Sequence, residues 1–175
     1  MQLTYSLVNF NDNDAKTRNM KTAEKIIVAG IIGTTFMTLY SYWKSKQEKQ
    51  EYVEPVMINK LIDKSDNLPQ VDDNDTHPAG WGLHYLTGIA FVSAYWLIWH
   101  KALRKPTTSK ILIIGIASGS IGIAVWKLLF TQHDNPPHNY RYGYYRQLLI
   151  AHIVFSAFAL AGYKALGYIN NKELN

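Results

Sequence analysis

Residues 76–100 read THPAGWGLHYLTGIAFVSAYWLIWH. A Pro- and Gly-containing turn opens the stretch, and about twenty largely apolar residues follow it without an acid, Lys or Arg. Trp81 and Tyr85 stand at one end, Trp96 and Trp99 at the other. Aromatic side chains at both ends of such a run are the pattern of a membrane-crossing helix, because their rings settle at the headgroup level. One ionisable residue, His84, lies inside the first turns.

Three further runs resemble it. They are Ile26–Trp43, Ile111–Phe130 and Leu148–Gly167. Each is close to the ~20 residues that cross a hydrocarbon layer of ~30 Å. A soluble four-helix bundle would carry a charged stripe on every helix. Instead the third run carries only Lys127 and the fourth only Lys164, each near enough to an end to reach the interface with its head. The near-neutral average hydropathy is misleading, because the charges crowd into the N-terminus and the connections.

The composition excludes several functions. There is no cysteine, so disulfides, thiolate catalysis, iron–sulfur clusters and Cys-ligated zinc are out. The net charge of +5 is mostly juxtamembrane and calls for no nucleic acid. No G-x-S-x-G elbow is present.

In chain order, residues 1–25 form a polar N-terminus with Lys16, Arg18, Lys21 and Lys25. The run after it has full span length and no cleavage site, so it is expected to stay as the first helix, about 26–43. Gly30, Thr34, Met37 and Ser41 share one of its faces, with Gly33 and Thr38 beside it. Small and hydroxyl residues in that arrangement let helices approach closely. Residues 44–79 are too charged for lipid and form an external connection. Glu54-Pro55, followed by Val56, Met57, Ile58, Leu61 and Ile62, predicts a short helix with Pro in its first turn, lying on the membrane surface. Asp72, Asp73 and Asp75 lack calcium-loop spacing and read as part of a solvated, mobile linker.

The second helix is predicted over about 81–100, the third over about 111–130 and the fourth over about 147–167, with a polar tail at 169–175. Gly115 and Gly119, extended by Ser118 and Gly122, form a packing seam and not a phosphate loop. Pro136-Pro137 ends the third helix, and Tyr140, Tyr142, Tyr144 and Tyr145 read as an interfacial belt. His152, Ser156, Ala159 and Tyr163 share a face of the fourth.

The short flanks set orientation. The N-terminus and the loop 101–110 each carry four Lys/Arg, whereas the loop 131–146 carries two. Both termini are therefore expected in the cytoplasm. His77, His84, His133, His138 and His152 then all fall in the external half. His84 and His152 differ in depth by only about 5 Å at 1.5 Å per residue. They form a candidate pair, with His133 and His138 closing over it and Trp81 and Tyr85 shielding it. Three readings of the pair stay open. One is a transition-metal or proton site, since imidazole is a common metal ligand. Another is b-type haem, which needs both Nε2 atoms facing across a gap. The third is simple hydrogen bonding near the interface.

The motifs resemble those of small bacterial inner-membrane proteins with four spans. Gly30-Ile-Ile-Gly33-Thr34-Thr35-Phe-Met37-Thr38 is similar to their first helix, and Glu54-Pro55-Val56 to a Pro-led short helix in the connection. Gly80-Trp81-Gly82-Leu83-His84-Tyr85-Leu86-Thr87-Gly88 is similar to the start of their second helix. A Gly-rich third helix and a His near the start of the fourth complete the likeness, while the Asn- and Lys-rich ends and the Tyr-rich loop stand outside it. The resemblance implies an architecture and no reaction.

The sequence thus predicts an all-α integral membrane protein, a four-helix bundle of antiparallel spans in a bacterial inner membrane. Its expected role is that of a small membrane protein with an outward-facing histidine-lined metal or proton site. The alternative is a non-catalytic subunit or assembly factor whose glycine seams pack on other membrane subunits or on a second copy of itself.

Overall fold

A computed structural model describes residues 20–172, with side chains to residue 167; the rest of the polar N-terminus and the end of the tail lie outside the described residues. The described chain is all-helical. Five helices run α1 (Thr22–Glu48), α2 (Glu54–Asp63), α3 (Pro78–Arg104), α4 (Thr108–Gln132) and α5 (Arg141–Lys172). The long helices extend several residues beyond the apolar runs at both ends. Local capping explains part of this. Thr107 accepts the Lys110 N–H with its hydroxyl, satisfying an early donor of α4. His77 accepts the Ala79 N–H with Nδ1 just ahead of Pro78. Lys49, at φ 52°, ends α1 in the left-handed region.

Three helices, α1, α4 and α5, are long and apolar enough to cross a membrane, not the four expected. The exception is α3, the helix containing the stretch quoted first. It is long enough, at 27 residues. Its apolarity falls short because Trp81, His84, Tyr85, Tyr95, Trp96 and Trp99 replace aliphatic side chains. The helix also breaks geometry at Trp99, where φ is −149° and ψ 58°.

The glycine and hydroxyl faces pack inside the chain. Gly30 lies against Ile89, where a Cβ would come within 2.8 Å of its Cα, and Gly88 lies against the Thr34 hydroxyl. Thr38 meets His84 farther along, so α1 and α3 are antiparallel neighbours. Gly115 and Gly119 lie against Ile153 and Leu149, so α4 and α5 are antiparallel as well. Gly33 faces Phe155 and Ala159 of α5. Thr34 and Thr38 return their hydroxyl protons to the carbonyls of Gly30 and Thr34. The central helix is α5, with α1 and α4 packed along it and α3 touching it less. By contrast α3 and α4, consecutive in sequence, barely meet.

Within the connection 44–79, α2 packs on the rest of the chain. In α2, Val56, Met57 and Leu61 are buried against protein. Asn59, fully buried, holds the helix in place. Its amide donates to the carbonyls of Asn74 (2.8 Å) and His77 (2.9 Å), and its carbonyl accepts the Gly80 N–H at 2.7 Å. Gly80 is required at this contact, because a Cβ would sit against Pro55 and 2.5 Å from Asn59 Oδ1. Replacing Asn59 with Leu should cost about 2 kcal/mol, since it strands three backbone groups at once. Limited proteolysis should then cut between residues 64 and 77 much faster than in the wild type; an unchanged cleavage rate would show that Asn59 does not secure the segment. The acidic patch is exposed. Asp73 accepts from Asp75 N–H (2.9 Å) and the Thr76 hydroxyl (2.6 Å), and these bonds, the Thr76 one foremost, hold its carboxyl below the usual range.

The Tyr-rich segment divides. Tyr140 and Tyr142 are exposed, but Tyr144 is fully buried among Tyr52, Trp126 and Phe130. Arg141 sits 3.5 Å from the centroid of Phe130, a cation–π contact.

Candidate functional site

Where α3 and α4 part, α1, α2 and α5 enclose a cavity of about 470 Å³. That volume is within the ~300–1,000 Å³ typical of small-molecule pockets. Phe91 and Leu83 of α3, Trp126, Val125 and Leu129 of α4, and Leu148 and Phe155 of α5 form its walls. Ile58, Leu61 and Ile62 of α2 form its roof. Leu83, Thr87, Val125 and Leu129 are also exposed, so the cavity opens sideways between α3 and α4 through a largely apolar rim. The polar groups in its lining are Thr34, Glu54, Ser65, His84, Thr87, His133 and His152.

His84 and His152 reach this one cavity from different helices. Each ring is held in a defined tautomer. His152 Nδ1 lies 2.9 Å from the Leu148 carbonyl, which only accepts, so Nδ1 carries the proton. His84 Nε2 lies 2.9 Å from Thr38 Oγ1. The Thr38 proton is already given to Thr34 O at 2.8 Å, so His84 Nε2 is the donor. The remaining nitrogens, His84 Nδ1 and His152 Nε2, are both lone-pair acceptors. Phe91 stands edge-on to the His152 ring at 5.6 Å between centroids.

The other expected site residues are placed differently. His133 borders the cavity, but its Nε2 is 2.9 Å from Leu61 O and its Nδ1 accepts the Asn135 N–H at 3.1 Å. It fastens the loop after α4 to α2 through Nε2 and closes a turn within that loop through Nδ1, so both nitrogens are engaged. His138 is exposed and does not border the cavity. Among the described residues no three His, Asp or Glu side chains are arranged to hold a metal ion. Haem between His84 and His152 would need both Nε2 atoms, and His84 Nε2 is engaged by Thr38. Trp81 and Tyr85 do not border the cavity, although the Tyr85 ring stands edge-on to His84 at 6.1 Å between centroids. Trp81 donates to Asp75 O at 2.9 Å, and the Tyr85 hydroxyl meets Thr35 Oγ1 at 3.0 Å, both away from the cavity. Gly30, Thr34, Gly115 and Gly119 pack as described; Thr34 alone of these four also borders the cavity.

One buried ionisable residue at the cavity had no sequence signal beyond its place before Pro55. Glu54 is buried at the cavity edge, and its Oε1 accepts the Ser41 hydroxyl at 2.9 Å. Ser41 in turn accepts from Gln147 Nε2 at 2.7 Å. Glu54 Oε2, Gln147 Oε1 and the Tyr144 hydroxyl are buried without a hydrogen-bond partner among the described residues. Burial pushes the Glu54 carboxyl up to about 7, against the smaller opposing effect of its hydrogen bonds. Outside the helices, burial first and the Glu48 hydrogen bond second push the Tyr52 phenol up to about 12.

Comparison with known protein families, curated proteins and solved structures finds no match to this chain.

Proposed function

We propose that this chain is an integral membrane protein of four antiparallel crossings, α1, α3, α4 and α5, that binds a small membrane-soluble molecule in the cavity between α3 and α4. The observation that carries this reading is the cavity itself: an apolar chamber with a sideways opening and two imidazoles inside. A portal between helices whose rim is largely apolar suits a ligand arriving from the hydrocarbon layer. As the fourth crossing, α3 has no acid, Lys or Arg before Lys101, and it turns Leu97 and Ile98 outward at 73% and 84% exposure. Such side chains are at home against lipid. The Lys/Arg count favours both termini in the cytoplasm, which would put α2 and the histidine pair on the outer side of a bacterial inner membrane.

The subunit reading draws less support. The glycine faces of α1 and α4 are filled by α3 and α5 of the same chain, so those two seams are already occupied.

The test is photolabelling in liposomes with a long-chain alkyl diazirine, mapped by mass spectrometry. Label should concentrate on Phe91, Trp126 and Phe155 over Leu97 and Ile98. Thr87→Trp with Val125→Trp, both at the exposed rim, should cut cavity labelling at least about tenfold, a change worth ~1.4 kcal/mol. Uniform labelling that ignores the rim substitutions would exclude the reading.

A further inference from the structure

Granted that the cavity takes a membrane-soluble molecule, we infer that its ligand carries a hydrogen-bond-donating head, a hydroxyl on an apolar body, which binds between His84 Nδ1 and His152 Nε2. The reasoning starts from the tautomers. Two carbonyls fix them, because a carbonyl oxygen never donates: Leu148 O takes the His152 Nδ1 proton, and Thr34 O takes the Thr38 proton that would otherwise face His84. Both nitrogens left over are acceptors.

An acceptor pair in an apolar chamber selects by what it leaves unpaired. A ketone, aldehyde or ether oxygen brings a third lone pair and no proton. A carboxylate adds repulsion to the cost of its own desolvation. A hydroxyl satisfies one acceptor directly, and a dihydroxy compound satisfies both. Sites built to hydrogen-bond a hydroxyl reject analogues without it far more strongly than an apolar pocket rejects an extra methylene. A divalent metal is the other chemistry that lone pairs attract, but two imidazoles fall short of the three protein ligands of a catalytic zinc site, and no third His, Asp or Glu joins them among the described residues.

Gly122 supports the assignment. A Cβ at this position would lie 2.8 Å from His152 Cε1 and 3.0 Å from Nε2. Gly122 also borders the cavity, so any larger residue there would cover the acceptor. His152 itself borders the cavity and is packed beside Phe91 and Phe155, which hold the ring.

The experiment uses the full-length protein in liposomes and two matched probes: a diazirine-bearing long-chain alcohol and its methyl ether. The ether keeps the apolar body and the oxygen but loses the donor. The alcohol should label Phe91, Trp126 and Phe155 at least about tenfold more efficiently than the ether. In His152→Phe, which keeps an aromatic ring beside Phe91, and separately in Gly122→Ala, that preference should shrink toward one while labelling by the plain alkyl diazirine persists. Persistence of the alkyl label shows that each variant still forms the cavity; if one does not, the other decides. Equal labelling by alcohol and ether in the wild type would overturn the donor assignment and leave cavity binding standing. Absence of cavity labelling by every probe would remove both. Stoichiometric zinc binding that blocks the alcohol and is abolished by His152→Phe would overturn it in favour of a metal.

Discussion

Gly115→Val should be among the most damaging single substitutions in this protein. The position where its first side-chain carbon would stand is 2.7 Å from Ile153 Cα and 2.9 Å from the Ser156 hydroxyl. The first of these is backbone and cannot swing aside. The α4–α5 pair must therefore separate, and Ser156 loses its bond to Ile111 O, 2.9 Å in the native packing. Overpacking of this kind costs about 3 kcal/mol. In a chain of this length that lowers the thermal midpoint in detergent by about 10 °C. Gly82→Val is the control: it sits on α3 with nothing within 4 Å of its Cβ, and its midpoint should stay within a degree or two of wild type, inside the ~0.5 kcal/mol expected of a free surface. Equal effects at the two sites would mean that the seam is not what holds α4 to α5.

Glu54→Gln should abolish a pH dependence of stability that the wild type shows between about 4.5 and about 7. The sign follows from the buried carboxyl. Its ordinary value is 4.5, and burial raises it to about 7 in the folded chain. Below 4.5 the group is protonated folded or unfolded and contributes no difference. As pH rises through 4.5 the unfolded chain releases the proton and the folded chain keeps it, so unfolding becomes easier. The loss levels off near 7, when the folded carboxyl also ionises, and amounts to about 3 kcal/mol. Ser41 donates to the carboxyl and Gln147 donates to Ser41, but among the described residues no cation pairs with Glu54: Lys60 is taken by Glu51, and Arg146 and Lys44 by Glu48. A glutamine keeps an acceptor for the Ser41 hydroxyl and never ionises. Thermal midpoints from pH 4 to 8 should fall in the wild type and not in the variant, so the variant is the more stable at pH 8. Parallel curves would show that Glu54 is solvated and ordinary.

The helical composition of the chain was legible because it is local. Apolar runs interrupted by basic loops fix where helices form, although only three of the four expected are apolar enough to cross a membrane, and the faces carrying Gly30, Thr34, Met37 and Ser41, or His152, Ser156, Ala159 and Tyr163, are buried as their spacing implied. Pro55 and Pro78 marked two helix starts for the same local reason. The pairing of His84 with His152 around one cavity was also within reach, because depth along antiparallel helices follows from counting residues.

What counting could not supply is lateral position. Nothing in the sequence says that α5 stands at the centre or that α3 and α4, neighbours in the chain, are held apart so that a chamber opens between them. That depends on how glycine faces mesh across helices distant in sequence. The packing of the connection 44–79 was hidden for a related reason. Its charges are real, but Asn59 satisfies three backbone groups from other segments, and such long-range bonds leave no periodic trace. Glu54 was hidden in the same way, since an acid before a proline reads as an ordinary helix start. Sequence thus determined the helices, their apolar character and the histidines that face inward, because these depend on residues within a few turns of one another. Tertiary structure alone decided that His133 is a strap, that His138 lies outside, and that His84 and His152 line one cavity, because these depend on which helices meet; the Thr38 hydroxyl that engages His84 comes from another helix, while the Leu148 carbonyl that engages His152 is one turn back in its own.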